Sequence, residues 1–138
     1  MPQVLFLERF PSPTSKLPNF YDKALQDGGI SINLDAYNPS LDRLYDVRGH
    51  ANMHVTIINT GANGLTYTIQ AASKEFTDIN TLQDADYSEI KADTDVATAT
   101  DDFANVIDIS PESTAIRIRF KRQAAGQNTT MAGTVSVN

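Results

Sequence analysis

Two histidines, His50 and His54, stand four positions apart, the spacing at which a helix would turn both imidazoles toward one zinc ion. The helical zinc motif needs a glutamate directly after the first histidine, and Ala51 stands there. His54 also falls in a stretch rich in β-branched residues, Met53-His54-Val55-Thr56-Ile57-Ile58-Asn59, which reads as a strand. A serine hydrolase would carry its nucleophile on a Gly-x-Ser-x-Gly elbow, and the chain has none. Asp101-Asp102 and the acids from Asp84 to Asp95 could pair for glycoside chemistry. They fall in expected loops, with no tryptophan in the chain to grip a sugar. Asp84-Ala85-Asp86 and Asp93-Thr94-Asp95 could offer oxygens to calcium. Neither fits the helix–loop–helix calcium pattern, and calcium binding stays open. Gly61-Ala62-Asn63-Gly64 lacks the Lys-Ser/Thr that completes a phosphate loop. Arg117, Arg119 and Lys121 are three cations in one row, suited to phosphate, to an acidic partner or to plain solvent. No catalytic, metal or cofactor set follows from these residues.

The row of cations belongs to the clearest element of the chain. Ala115 to Arg122 alternates apolar and cationic residues without a break. Side chains in a strand alternate between faces, so Ile116, Ile118 and Phe120 point into a core and Arg117, Arg119 and Lys121 point away from it. A polar loop, Gly126 to Thr130, leads into Gly133-Thr134-Val135-Ser136-Val137-Asn138, read as the second arm of a hairpin. Upstream, Ile30 to Ala36 alternates cleanly, Tyr37 to Ser40 is a turn, and Leu41 to Val47 is a second strand. Met53 to Asn59 and Leu65 to Ala71 flank Thr60 to Gly64, which reads as a Gly/Asn hairpin loop. Tyr87 to Ala92 is a further strand. Asp93 to Asp95 is read as a turn, followed by strands at Val96 to Thr100 and Asn105 to Ile109, and Ser110 to Ser113 is a strong turn.

About eight short strands separated by turn signals define an all-β chain, an antiparallel β-sandwich of jelly-roll type. The expected core is Ile32, Leu34, Val55, Ile57, Leu65, Tyr67, Ile69, Ile90, Val106, Ile116, Ile118, Phe120, Val135 and Val137. The first part of the chain is different. Pro2, Pro11, Pro13 and Pro18 punctuate it and favour extended geometry. Leu5, Phe6, Leu7, Phe10, Phe20 and Tyr21 make it too apolar for a disordered tail. The division is an extended Pro-rich arm at 1–28, placed on another subunit or folded back on its own domain, and a β-sandwich domain at 29–138.

The chain has 138 residues, the size of one domain, with 41% hydrophobic and 20% charged residues. No apolar run approaches the roughly 20 residues that span a bilayer, and the first residues do not read as a signal peptide. The last strand is expected to leave no C-terminal tail. There is no cysteine, hence no disulfide and no thiolate chemistry. The net charge of -6 argues against nucleic acid as a partner. The charge is uneven. Lys91 is the only base from Glu75 to Glu112, whereas Arg117, Arg119, Lys121 and Arg122 follow Ser113 with no acid. Such patches could meet on neighbouring copies or on a partner and set orientation.

The succession Val55 to Ala71, Asp93-Thr94-Asp95-Val96-Ala97, Asp108-Ile109-Ser110-Pro111, Ile116-Arg117-Ile118-Arg119 and Gly133 to Asn138 is similar to small β-sandwich virion proteins of tailed bacteriophages. Head decoration (cement) proteins are the nearest type, and the Pro-rich apolar arm is also like theirs. The resemblance covers roughly Met53 to Asn138. It implies a non-enzymatic virion structural protein, made in the host cytoplasm and placed on the capsid surface. A major capsid protein would be its partner and a homotrimer its form, with no nucleic acid and no membrane involved. The implied contacts are Leu5, Phe6, Leu7, Phe10, Phe20 and Tyr21 on the arm and Arg117, Arg119 and Lys121 on the charged face. A tail or fibre accessory domain fits the same pattern. The competing class is a ligand-binding sandwich of carbohydrate-binding type, with Tyr37, Tyr45 and Tyr87 as the plausible exposed aromatics.

Overall fold

The computed structural model of the chain describes residues 30–99 and 101–137, with the backbone alone for 101–106. The arm proposed for 1–28 and the core position given to Val106 lie outside the described side chains. Eight strands follow in order: β1 (Ile30–Ile32), β2 (Arg43–Asp46), β3 (Asn52–Asn59), β4 (Leu65–Ala72), β5 (Tyr87–Val96), β6 (Asp101–Asp108), β7 (Ala115–Arg122) and β8 (Thr129–Val137). They form two four-stranded sheets, β1-β8-β3-β6 and β2-β7-β4-β5, and every neighbouring pair is antiparallel.

The order has a simple logic. β4 pairs with β5, β3 with β6, β2 with β7 and β1 with β8. The chain is thus a long two-stranded ribbon wound so that successive pairs fall alternately in the two sheets. This is the eight-stranded jelly roll. The winding corrects two expectations from the sequence. β7 and β8 are not a hairpin, and neither are β3 and β4; each pair is split between the two sheets. The 60–64 and 123–128 connections cross from one sheet to the other.

The inner faces follow the two-residue period. Met53, Val55 and Ile57 on β3, Leu65, Tyr67 and Ile69 on β4, Ile116, Ile118 and Phe120 on β7 and Met131, Val135 and Val137 on β8 are buried and form one core with Ile32, Tyr45 and Val47. Of the adjacent pair on β3, Ile57 is buried and Ile58 is half-buried, as the alternation requires. Close packing explains Gly133 in β8. A Cβ there would lie 1.9 Å from the Thr56 carbonyl oxygen across the β3–β8 ladder, where nothing can give way.

Several positions differ from the sequence reading. Leu34 is only half-buried, because β1 ends at Ile32 and Leu34 instead gives its carbonyl to the Arg122 N–H. Tyr45, read as exposed, is fully buried on the inner face of β2. Ile90 is 46% exposed. The β4–β5 register shifts between Gln70↔Glu89 and Ile69↔Lys91, so that Ile90 is skipped in a bulge and turned out of the core. Asp93-Thr94-Asp95 is not a turn but part of β5, and β6 begins at Asp101.

One buried polar side chain holds the sandwich together where the sheets exchange strands. Asn59, 1% exposed at the end of β3, donates from Nδ2 to the Asn63 and Val96 carbonyls at 2.7 and 2.9 Å. Its Oδ1 accepts from the Gly61 N–H and from the Thr129 hydroxyl. It thereby links the β3–β4 crossover, the end of β5 and the start of β8. Thr114 does a similar task at the other end, its N–H and hydroxyl both donating to the Ala72 carbonyl.

Candidate functional site: the covered outer face of the second sheet

The outer face of β2-β7-β4-β5 is built in register. Leu44, Arg117, Gln70 and Glu89 form one row across the four strands, and Lys121, Thr66 and Asp95 form another. In the sequence reading the cations of β7 project to solvent or to a partner. The direction is correct but the surroundings are not. The 33–42 and 73–86 connections fold over this face, and Arg117 and Arg119 are 5% and 9% exposed.

Arg117 donates from Nε and Nη2 to Gln70 Oε1 at 2.8 and 2.5 Å, and its guanidinium lies over the Tyr87 ring at 4.1 Å. Nη1 donates to Asp84 Oδ1 at 2.8 Å and approaches Asp42 Oδ2 at 3.8 Å. Arg119 donates from Nε to Asp42 Oδ1 at 3.0 Å. Lys121 stands 3.9 Å from Asp93 and 4.8 Å from the centre of the Tyr37 ring. Acids and bases expected to meet across copies therefore meet within one chain: Arg117 with Asp84, and Lys121 with Asp93. Asp42, absent from the sequence reading, is the acid that binds Arg119 directly and lies close to Arg117. No signal in the sequence pointed to it, because the cover that makes a buried counter-charge necessary comes from irregular connections.

Electrostatics follow from this packing. Burial raises the Asp42 carboxyl above its ordinary value, opposed by the Arg119 hydrogen bond and the nearby Arg117 charge. The hydrogen bond from Arg117 holds the exposed Asp84 carboxyl below its ordinary value. Burial pushes the Tyr87 hydroxyl up to about 12. Burial and the 2.6 Å hydrogen bond to Asp93 raise Tyr37 as well. Both phenols keep their protons in the fold at a pH where the unfolded chain, near 10.0, has lost them. Stability is accordingly unaffected by these groups below pH 10 and falls as the pH climbs from about 10 toward 12. Ultraviolet titration of tyrosinate, with Tyr37→Phe and Tyr87→Phe as references, reads this directly. Both rings ionising near 10 in folded protein would contradict it.

Beside Arg117 the covering segments leave a pocket of about 590 Å³. Leu44 and Arg117 form its floor. Pro39 and Asp42 line one side, and Asn80, Leu82, Gln83, Asp84, Ala85 and Tyr87 line the other. Both walls are short 3-10 turns fixed by their own side chains. Asn38 accepts from the Ser40 N–H, Asp78 from the Asn80 N–H, and Asp86 from the Gln83 N–H.

The remaining candidates are not gathered into one site. His54 is exposed on β3, and His50 lies in the turn before it. Asp101 and Asp102 sit in β6 with their backbone opposite Ile58 and Ile57. No group of three or more His, Cys, Asp or Glu positioned for a metal occurs among the described residues. No helix among the described residues is long and apolar enough to cross a membrane. Leu5, Phe6, Leu7, Phe10, Phe20 and Tyr21 lie outside the described residues. A scan of protein-family models matches none to this chain, and comparison with curated proteins gives no significant match.

Proposed function

We propose that this chain is a non-enzymatic structural protein of a tailed-bacteriophage virion, a head decoration (cement) protein that bridges capsid subunits as a homotrimer. One observation carries the reading. The outward positions of β1, β3 and β8 hold Ser31, Asn52, His54, Thr56, Ile58, Thr130, Ala132, Thr134 and Ser136, with no Asp, Glu, Lys or Arg among them. In a chain with a net charge of -6, these three strands present a face without fixed charge, bordered by the edge strand β6, where exposed Asp108 stands opposite Asn52. Interface cores are depleted in charged residues in the same way.

Two further features support it. The segment at 1–28 joins the body at β1, the edge strand of this sheet, and carries Leu5, Phe6, Leu7, Phe10, Phe20 and Tyr21. Contact with a neighbouring subunit would remove these side chains from water at roughly 1.5–3 kcal/mol each. The charges of the other sheet are largely neutralised within the chain, which leaves the first sheet and the N-terminal segment to make the assembly contacts.

Sedimentation of the full chain tests the reading. The expected mass is that of three 15.1 kDa chains. Thr134→Arg, which sets a charge opposite Thr56 in the middle of the face, is expected to give monomers with unchanged circular dichroism. A Thr134→Arg variant that sedimented with the parent would remove this face from the assembly.

A further inference from the structure

We propose that the pocket beside Arg117 is a binding site for a neutral saccharide. The argument starts from charge. The charged lining residues are Asp42, Asp84 and Arg117, two negative groups against one positive. An anion entering the pocket meets two carboxylates. A cation meets the guanidinium in the floor, which is fixed by Gln70 and by the Tyr87 ring and cannot withdraw. Arg119 behind Asp42 balances the second carboxylate, so the site holds no net charge for an ion of either sign, and the occupant is neutral.

Hydrogen-bonding capacity then gives its chemistry. Asp42 Oδ2 is 3.8 Å from Arg117, beyond hydrogen-bond distance, and the Asp84 side chain is 79% exposed at the rim. Carboxylate oxygens accept and do not donate, so the occupant must offer donors. Burial without full compensation already disfavours the Asp42 charge, and a hydroxyl donated to it would relieve that cost. The Tyr87 ring lines the pocket, while its hydroxyl is buried and beyond the reach of an occupant. Between the polar groups lie Leu44, Leu82 and Ala85. A surface that alternates acceptors with apolar patches matches a ring that carries hydroxyls at its edge and C–H groups on its face. The volume falls in the range of ligand sites, roughly 300–1,000 Å³, and the walls are preformed by the three capped turns. The pocket lies on the outer face of the second sheet, away from the outer face of the first, so a copy held by its first sheet would present it outward. The inference rests on the pocket alone, and its failure would leave the assembly reading untouched.

The experiment is an amide NMR titration of the full chain with separate probes: glucose, galactose, mannose, N-acetylglucosamine, maltose and lactose as neutral saccharides, inorganic phosphate as an anion, and arginine amide as a cation. At least one neutral saccharide is expected to shift amides at 39–44, 80–87 and 117 in a saturable way, and the two charged probes are expected to leave them in place. Asp84→Ala should weaken that saccharide by about tenfold, the size of one lost hydrogen bond to a charged group. Lys121→Ala, outside the pocket, should not change it. Two results would overturn the proposal. One is that no neutral saccharide in the panel moves these amides. The other is that only phosphate or only arginine amide does.

Discussion

Replacing Asp42 by alanine is expected to destabilise the domain by about 3–5 kcal/mol, a fall of roughly 10 °C or more in melting temperature. The Asp42 side chain is 5% exposed and stands beside the buried side chains of Arg117 and Arg119. Removing it leaves Arg119 buried without its carboxylate partner, and a buried charge left uncompensated is costly. The comparison with Asp84 makes the test sharp. Asp84 is closer to Arg117, at 2.8 Å against 3.8 Å, so distance alone would make it the more important partner. But Asp84 is exposed, and exposed ion pairs contribute about 0–1 kcal/mol. Asp84→Ala should therefore melt close to the parent. Asp42→Leu combined with Arg119→Met should recover most of the loss, since it removes both buried charges together. Thermal and urea melts of the four proteins measure this. Equal effects of Asp42→Ala and Asp84→Ala would show that the outer face is wetter than its packing indicates.

Replacing Asn59 by alanine is expected to cost about 3 kcal/mol or more, because it leaves several buried groups unpaired at once. The Asn63 and Val96 carbonyls lose their donor, and the Gly61 N–H and Thr129 hydroxyl lose their acceptor. Asp, which keeps the acceptor but cannot donate, should fall between Asn and Ala at low pH and be no better than Ala once ionised in that buried place. Hydrogen exchange adds a spatial reading. Protection should drop first at 60–64 and at the start of β8, both tied to Asn59. A cost under 1 kcal/mol, measured by urea melts, would mean that the crossover holds itself without this side chain.

The two-residue period made most of the core legible in the sequence. It placed Ile116, Ile118 and Phe120 on β7 and Val135 and Val137 on β8 inward, and the structure buries them. The period says which face a side chain takes and nothing about which strand lies alongside. For that reason Thr60 to Gly64 reads as a hairpin loop although it crosses between sheets. Ile90 reads as core for a related reason, since a bulge inserts a residue and the period cannot register it. Arg117 and Arg119 show a further limit. Their outward direction follows from the alternation, but their burial depends on the 33–42 and 73–86 connections, irregular segments with no period to read. The pocket, Asp42 and the bridging Asn59 all belong to such segments or to strand ends. The sequence-visible cations thus lie at the site, while the residues that complete it come from loops whose course depends on the whole fold.

The most direct test of the proposed role uses shells assembled from the major capsid protein of the same virion, mixed with the full-length chain and pelleted. The account predicts saturable co-sedimentation and a higher melting temperature of the decorated shell, since a ligand that binds only the assembled state stabilises it. Thr134→Arg should reduce both effects. A chain that stays in the supernatant at every concentration, with shell melting unchanged, would contradict the capsid role.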